Sequence, residues 1–500
     1  MRTLNQAQAI AAAAAAEAES LAMPAAKRRS MAAVAGMLLL AACGSTTPKP
    51  SPHDLNRKVA AQWHAQLAHH GELSNLSLWW SQFNDPLLLR LIEAGQRVSP
   101  TLAEAAARIG DARANRTAQR ASLLPLLDAG ISGSRGRSEL QQPVSAAASA
   151  SLNVSWELDL FGANRAGASA AQARLESTQA RWHEARILVA AETATTYTDL
   201  RVCEALVDQA ELEVKSYEQT TQIVNLLASA GFETRAAAEQ ARAIGAQGRS
   251  RLIEQRASCD LLIKSLVALT EEEEGVLRRE LLANAATLPE PVEITVASVP
   301  AEALAQRPDI FAVARDVEMA SAEADQADAQ RWPRVTLTGS IGNSRMSSGG
   351  VTTDGSTWSV GPVAVTMPLF DGGTRKANAS AAHTRYQASA VIYAARLREA
   401  VREVESALVA LESASNRDSS VAIAAEGFTN AYAAVNERYR NGAASLFELE
   451  EVRRSMIAAD RAVVSLHRDR IVAWIDLYRA VGGGWSPDDL NDSNEKVDRP

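Results

Sequence analysis

Two carboxylates, Glu448 and Glu451, stand three residues apart just past an Asn441-Gly442 break in a long helical pattern. That spacing puts both on one helix face. Repeated around an axis, the pair makes two acidic rings, which favour cations, repel each other when close and can gate a pore. The competing reading is a solvated helix face, because Glu450 is acidic too. No catalytic constellation accompanies them. The seven histidines, His53, His64, His69, His70, His183, His383 and His467, include no HExxH pattern and no His/Cys cluster, and His69-His70 reads as solvated. Cys203 and Cys259 lie in helical patterns without CxxC or histidine spacing, and read as packing residues rather than redox or metal groups. There is no phosphate-binding loop, so energy must come from a partner. No enzyme activity, cofactor or metal is expected. A net charge of −8 and a pI near 5.6 argue against a nucleic-acid partner, which needs a basic face.

The N-terminal residues read as an address. Lys27, Arg28 and Arg29 precede a short apolar run over 32–42, the order of a secretory signal and too short for a membrane span. Leu40-Ala41-Ala42-Cys43 resembles a bacterial lipobox, which makes Cys43 the expected lipid anchor. Glu17 and Glu19 spoil the earlier residues as a signal, so Met23 is the expected start. Residues 44–52 are a Pro/Ser/Thr tether without the means to form a core.

The rest of the chain must position the acidic pair. Asn84-Asp85-Pro86 starts a helix to about residue 95, and an Ala-rich helix follows over about 100–122. Pro125 stops it. Alternation of apolar and polar residues predicts strands over about 126–137 and 149–161, with a loop at 138–148. In the second strand Leu152, Val154, Trp156 and Leu158 share one face, and Glu157 and Asp159 the other. The acidic residues either face a lumen or cap the helix that begins after Phe161-Gly162. That helix runs to about residue 230, with Leu200, Val207 and Val214 and then Cys203, Ala210, Tyr217 and Val224 at seven-residue spacing. Such a helix is roughly 100 Å long and carries a coiled-coil seam. Gly231 breaks it, a helix resumes to about residue 270, and the acidic run 271–274 reads as a solvated helix end or turn.

The pattern then repeats. A linker over 284–300 leads to a helix over 301–330, strands over about 334–344 and 357–368 around a Gly/Ser/Thr loop at 345–356, and a second long helix with Val401, Val404, Leu408 and Leu411 along one seam. Pro125 and Pro333 differ by 208, Phe161 and Phe370 by 209, Gly231 and Gly442 by 211. So constant an offset marks a duplicated helix–strand–strand–helix unit. The chain divides into a signal peptide (1–42), a tether (43–75), repeat 1 (76–283), the linker (284–300), repeat 2 (301–484) and a tail (485–500). The fold class is mainly α with four strands. Four strands cannot close a barrel, and an open sheet cannot sit in lipid. Both the strands and the helix seams therefore call for an oligomer.

Taken in order, Trp79-Trp80, Phe83, Asp85-Pro86, Pro125, Trp156-Glu-Leu-Asp-Leu-Phe161-Gly162, Arg307-Pro308-Asp309, Pro333, Pro368-Leu-Phe370-Asp-Gly372, Leu477-Tyr478 and Gly482-Gly-Gly-Trp485 resemble the TolC-like outer-membrane factors, most of all their lipoprotein (NodT) branch. The resemblance implies a homotrimer with a twelve-stranded membrane barrel, a periplasmic α-barrel and an equatorial region to which 43–75 adds. It implies outer-membrane lipid as surroundings, a periplasmic adaptor (membrane fusion protein) and an inner-membrane RND-type transporter as partners, and efflux as the task. It also places Glu448, Glu451 and Tyr439 at a closed periplasmic aperture, near the bends at Gly231 and Gly442. Ala444 and Ala237 stand where the family carries an arginine and an acidic partner, so the lock differs here. Pro125, Phe161, Gly162, Pro333, Pro368, Phe370 and Gly372 would mark the strand-to-helix junctions. Two other readings remain: the exit duct of a type I secretion system, and a periplasmic coiled-coil lipoprotein with a structural role.

Overall fold

The computed structural model describes residues 76–137, 143–283, 287–289, 304, 306–487 and 489. The signal, Cys43, the tether and most of the 284–300 linker lie outside the described residues. The described chain falls into two compact units: a sheet unit of residues 118–170 and 320–386, and a helical unit of the described residues before 118, those of 171–319 and those from 387 onwards.

In the sheet unit, β1 (Leu126–Gly136), β2 (Ser145–Leu158), β3 (Arg334–Ser348) and β4 (Val351–Thr366) form one antiparallel sheet in the order β1-β2-β3-β4. The register puts Leu127 opposite Val154, Val154 opposite Gly339 and Gly339 opposite Val360; Ala129, Leu152, Ile341 and Trp358 form the next row. One face is thus apolar across all four strands, and the other carries Asn153, Ser340 and Ser359. Ile131 and Val360 are 91% and 85% exposed, so nothing among the described residues covers that apolar face. In β4 the apolar positions change parity, from Trp358 and Val360 to Val363 and Val365. A bulge reconciles them: Leu337 faces Val363 but Gly339 faces Val360, so Thr338 meets both Gly361 and Pro362. The extra residue turns the strand by one position and keeps its apolar side chains together.

The strands are longer than the alternation predicts. The expected loop at 345–356 is instead the two ends of a hairpin, joined by Gly349 and Gly350, both at positive φ (58° and 84°). Two such residues are what a tight turn matched to strand twist requires. β2 begins four residues before the expected 149 and stops at Leu158, because Asp159 leaves the ladder. β4 covers Val351–Thr366 rather than 357–368.

Helices flank the strands symmetrically. α1 (Pro86–Val98) starts under Asp85, whose Oδ1 accepts from the backbone N–H of Leu87 and Leu88. α2 (Pro100–Ala121) and α6 (Pro308–Ala329) each have 22 residues and open on proline. α3 (Ala163–Ser229) and α7 (Thr374–Arg440) each have 67; α4 (Arg235–Thr270) has 36 and α8 (Leu446–Ala480) 35. The duplication is therefore present in element lengths as well as in punctuation. α6 begins at Pro308 rather than 301, because a proline suits the first helical turn and biases the residue before it away from helix. The acidic run ends α4 at Glu271, which takes a left-handed conformation (φ 58°), and starts a short α5 (Glu274–Ala283). Among the described residues no helix is long and apolar enough to cross a membrane.

The helical unit has a continuous core. Trp79 stacks on Tyr478 at 4.9 Å, with Trp80 and Phe83 beside them. Leu200, Cys203, Ala210, Val214, Tyr217 and Val224 are buried as the α3 seam requires, and Val404 and Leu408 are buried on α7. Cys203 and Cys259 are joined in a disulfide, Cα–Cα 5.6 Å, linking α3 to α4. The expectation of two unlinked packing cysteines is thereby corrected: a 56-residue separation carries no spacing signal, and the fold supplies the proximity. Disulfides persist in oxidising compartments such as the periplasm.

Candidate functional site

Both bends follow one plan. At the end of α3, Gly231 (φ 79°) donates to Ala228 O and Phe232 donates to Leu227 O; at the end of α7, Gly442 (φ 72°) donates to Tyr439 O and Ala443 donates to Arg438 O. This pair of bonds is the Schellman closure, which needs a left-handed residue and so favours glycine. A hydroxyl then restarts each helix. Thr234 Oγ1 accepts from Ala237 N, and Ser445 Oγ accepts from Glu448 N, each at 3.1 Å. Ser445-x-x-Glu448 has the spacing of a capping box, a sequence signal that the acidic-pair reading passed over.

Glu448 does not close that box. Its Oε1 accepts from Arg438 Nη1 at 2.8 Å, while Arg438 Nη2 donates to Ala443 O at 3.0 Å. Arg438 thus ties the end of α7 to the start of α8. Glu451 is ion-paired with Arg454, one helical turn on. Each gate candidate therefore has a cation of its own, which the spacing argument missed. Tyr439 is half-buried and contributes its backbone carbonyl to the bend.

Glu450, which served only as a sign of plentiful acid, makes the inter-helix contact. Its Oε1 accepts from Thr220 Oγ1 of α3 at 2.8 Å and from Arg453 at 2.6 Å. Arg453 in turn lies 5.5 Å from the centre of the Tyr432 ring. Two further links join α3 to α8: Arg461 donates to Glu213 at 2.9 Å, and Arg468 to Asp199 at 2.6 Å. Tyr217 donates to Glu213 at 2.8 Å; burial first, and then that bond, pushes its hydroxyl up to about 12. Between these helices lies a cavity of about 180 Å³ lined by Tyr217, Val224, Ile244, Leu446 and Phe447.

The helices are held at their other end by buried ions. Arg307, 3% exposed, donates through Nε and Nη2 to Asp309 at 2.9 and 2.7 Å, through Nη2 to Glu403 at 2.7 Å, and through Nη1 to Ala480 O at 2.8 Å. Arg396 adds a bond to Asp309 at 2.8 Å. Burial raises the Asp309 carboxyl, but the bonds and charges of Arg307 and Arg396 outweigh it and hold the group below its ordinary value. Gly482 (φ 90°) passes so close to the Gln306 backbone that any Cβ would collide with it.

The junction residues turn the chain from strand to helix. Gly162 (φ 81°), Gly372 (65°) and Gly373 (91°) make the turns. Asp159 caps α3, accepting from the N–H groups of Asn164 and Arg165 at 3.1 and 2.9 Å, and Asp371 likewise accepts from Gly373 and Arg375. Of the two readings of Asp159, capping is the one observed. Glu157 instead accepts from Arg334 Nη2 at 2.7 Å. Phe161 stacks on Trp332 at 5.6 Å, whereas Phe370 is 92% exposed. After Pro125 and Pro333 the strands begin at once, at Leu126 and Arg334; Pro368 lies two residues past the end of β4. The site as a whole is a set of bends, caps and cross-links that fixes long helices.

Known proteins share this fold. The family model described as outer membrane efflux protein matches residues 91–270 and 299–483. The chain is 27% identical over 445 residues to the solvent efflux pump outer membrane protein SrpC of Pseudomonas putida, covering 86% of this chain and 93% of that one. It is 26% identical over 418 residues to nodulation protein T of Rhizobium leguminosarum bv. trifolii, covering 82% and 88%. The CmeC outer membrane channel of Campylobacter jejuni superposes with a TM-score of 0.76 at 22% identity, covering 87% of this chain and 94% of that one. With a matching family model over most of its length, the chain belongs to the outer membrane efflux proteins, the TolC-like outer-membrane factors.

Proposed function

We propose that this chain is the exit duct of a tripartite efflux pump, conducting solutes passively from an inner-membrane RND-type transporter and a periplasmic adaptor across the outer membrane of a Gram-negative bacterium. It acts as a homotrimer, with twelve strands closing one barrel and the long helices continuing it in the periplasm. Cys43 carries the lipid anchor. The observation that supports this best is the sheet: one face is apolar in register across four strands, and β1 and β4 each pair on one side only within the chain. Open edges cannot persist in lipid, so copies of the same sheet must complete them. The names of SrpC and its like favour efflux over protein secretion. Glu448 and Glu451 form the acidic rings of the aperture, each balanced by Arg438 or Arg454.

Reconstitution into planar bilayers, with oligomer mass measured in detergent, tests the duct. A conducting trimer is expected; a monomer without conductance refutes it. The faces are tested by Val154→Arg against Asn153→Arg. Near the bilayer centre the first costs about 2–4 kcal/mol and should hinder membrane assembly far more than the second. Equal yields of assembled trimer would reverse the assignment.

A further inference from the structure

The junction in the sheet unit encloses an open cavity of about 230 Å³, lined mainly by polar atoms. Glu157, Asp159, Asn164, Gln330, Arg334 and Arg375 contribute its polar side chains, and Phe161 and Pro333 are among its apolar ones. Each of its carboxylates is already paired with an arginine. Glu157 takes two bonds from Arg334. Asp159 takes the Asn164 and Arg165 backbone N–H groups and Arg165 Nε. The donors exceed them. Arg375 Nη1 is buried with no hydrogen-bond partner among the described residues, and the amides of Asn164 and Gln330 line the same space. Asp371 accepts from the Arg375 backbone N–H and attracts the guanidinium by charge, but Nη1 stays without a hydrogen bond. A buried guanidinium N–H left unpaired is costly, and the group that best satisfies it is an oxyanion, which can take two parallel bonds from the guanidinium fork.

We propose that this cavity binds a phosphate group, held by Arg375 and Arg334 with the Asn164 and Gln330 amides as neutral donors. The phosphate comes either from a lipid headgroup or from an anion in solution. The lipid source rests on the reading of the strands as membrane-spanning; the site itself does not.

The test uses the full-length protein purified in detergent. It is titrated with inorganic phosphate, and with chloride at matched ionic strength, while the thermal midpoint is read. Phosphate should raise the midpoint saturably and chloride should not. Arg375→Gln should weaken half-saturation by about tenfold or more, the loss of a charge-assisted bond. Arg331→Gln, whose parent residue pairs with Asp328 outside the cavity, should leave it unchanged. If Arg375→Gln fails to reach the native oligomer, Arg375→Lys replaces it and should bind with intermediate strength, since it keeps the charge but loses the fork. Native mass spectrometry from phosphatidylglycerol nanodiscs then separates the sources: lipid retained by the native protein and released by the variant marks a headgroup, and phosphate saturation without retained lipid marks a dissolved anion. Absence of both, or equal binding by Arg375→Gln, overturns the site. A protein that binds phosphate but does not conduct would instead remove the duct reading and leave this one standing.

Discussion

The two helical hairpins, α3–α4 and α7–α8, share one backbone design and differ in what fastens them. Both have a 67-residue first arm, a left-handed glycine at the tip and a hydroxyl cap on the return. The first is closed by the Cys203–Cys259 disulfide; the residues 211 further on are Ala414 and Arg470, which cannot form one. Both hairpins carry exposed ion pairs between their arms, Arg256–Glu211 and Arg249–Glu218 in the first and Arg438–Glu448 and Arg417–Asp469 in the second. Duplication preserved the frame, where geometry dictates glycine and cap, and left the fastening free to diverge. The first hairpin thus adds a bond indifferent to salt and pH to ion pairs that both can weaken, and the second has the ion pairs without it.

The sharpest challenge to this contrast is removal of the disulfide. Replacing Cys203 and Cys259 by serine should cost about 4 kcal/mol, the loop-closure value for a 56-residue separation. Limited proteolysis should show the loss as faster cleavage in residues 204–258, with residues 415–469 unaffected. Similar acceleration in both hairpins would mean that they are one cooperative unit. Next in size is Asp309→Asn, which leaves buried Arg307 with Glu403 as its remaining carboxylate and should cost about 3 kcal/mol, seen as a lower thermal midpoint. The folded carboxyl lies below its unfolded value, so its stabilisation is present above about pH 4 and is lost as pH falls through the folded value. The Asn variant should therefore lose the part of the acid sensitivity that Asp309 supplies, while the disulfide variant keeps it.

Smaller and equal effects are expected at the tips. A Cβ at Gly231 or Gly442 meets nothing within 4 Å, so Ala at either costs only the left-handed backbone penalty, about 1–2 kcal/mol. Unequal losses in thermal midpoint would show that one tip is strained. Smallest in stability is Glu448→Ala with Glu451→Ala, below about 1 kcal/mol because both pairs are exposed. Its expected effect lies in single-channel conductance and cation selectivity, greater at low salt than at high salt. Unchanged traces would remove these residues from the aperture.

The parts of this fold that were legible in the sequence are those whose cause is local. Proline starts, glycine bends and the seven-residue seam each act within a few residues, so the helices appear where spacing puts them. The β3–β4 hairpin was legible only in part: residues 345–356 are Gly-, Ser- and Thr-rich and read as loop, but ladder hydrogen bonds depend on backbone and partner, not on side-chain type. The gate pair was found by spacing, but Arg438, ten residues from Glu448, lies across a bend that a single-helix view cannot cross. Arg307 was noticed as part of a motif, yet its partner Glu403 is 96 residues away and only the fold brings them together. The same holds for the disulfide and for the cavity at Arg375.

The bulge opposite Thr338 also constrains how this chain can change over generations. Because two residues there answer to one, deleting either Gly361 or Pro362 would restore one-to-one pairing and leave Trp358, Val360, Val363 and Val365 on one face without a bulge. Elsewhere in β4 a single-residue gain or loss reverses the side chains beyond it, whereas a loss at this point, or a change in length at the Gly349-Gly350 turn, reverses none. Lineages of this strand would step in length by one at the bulge or the turn, and by twos elsewhere.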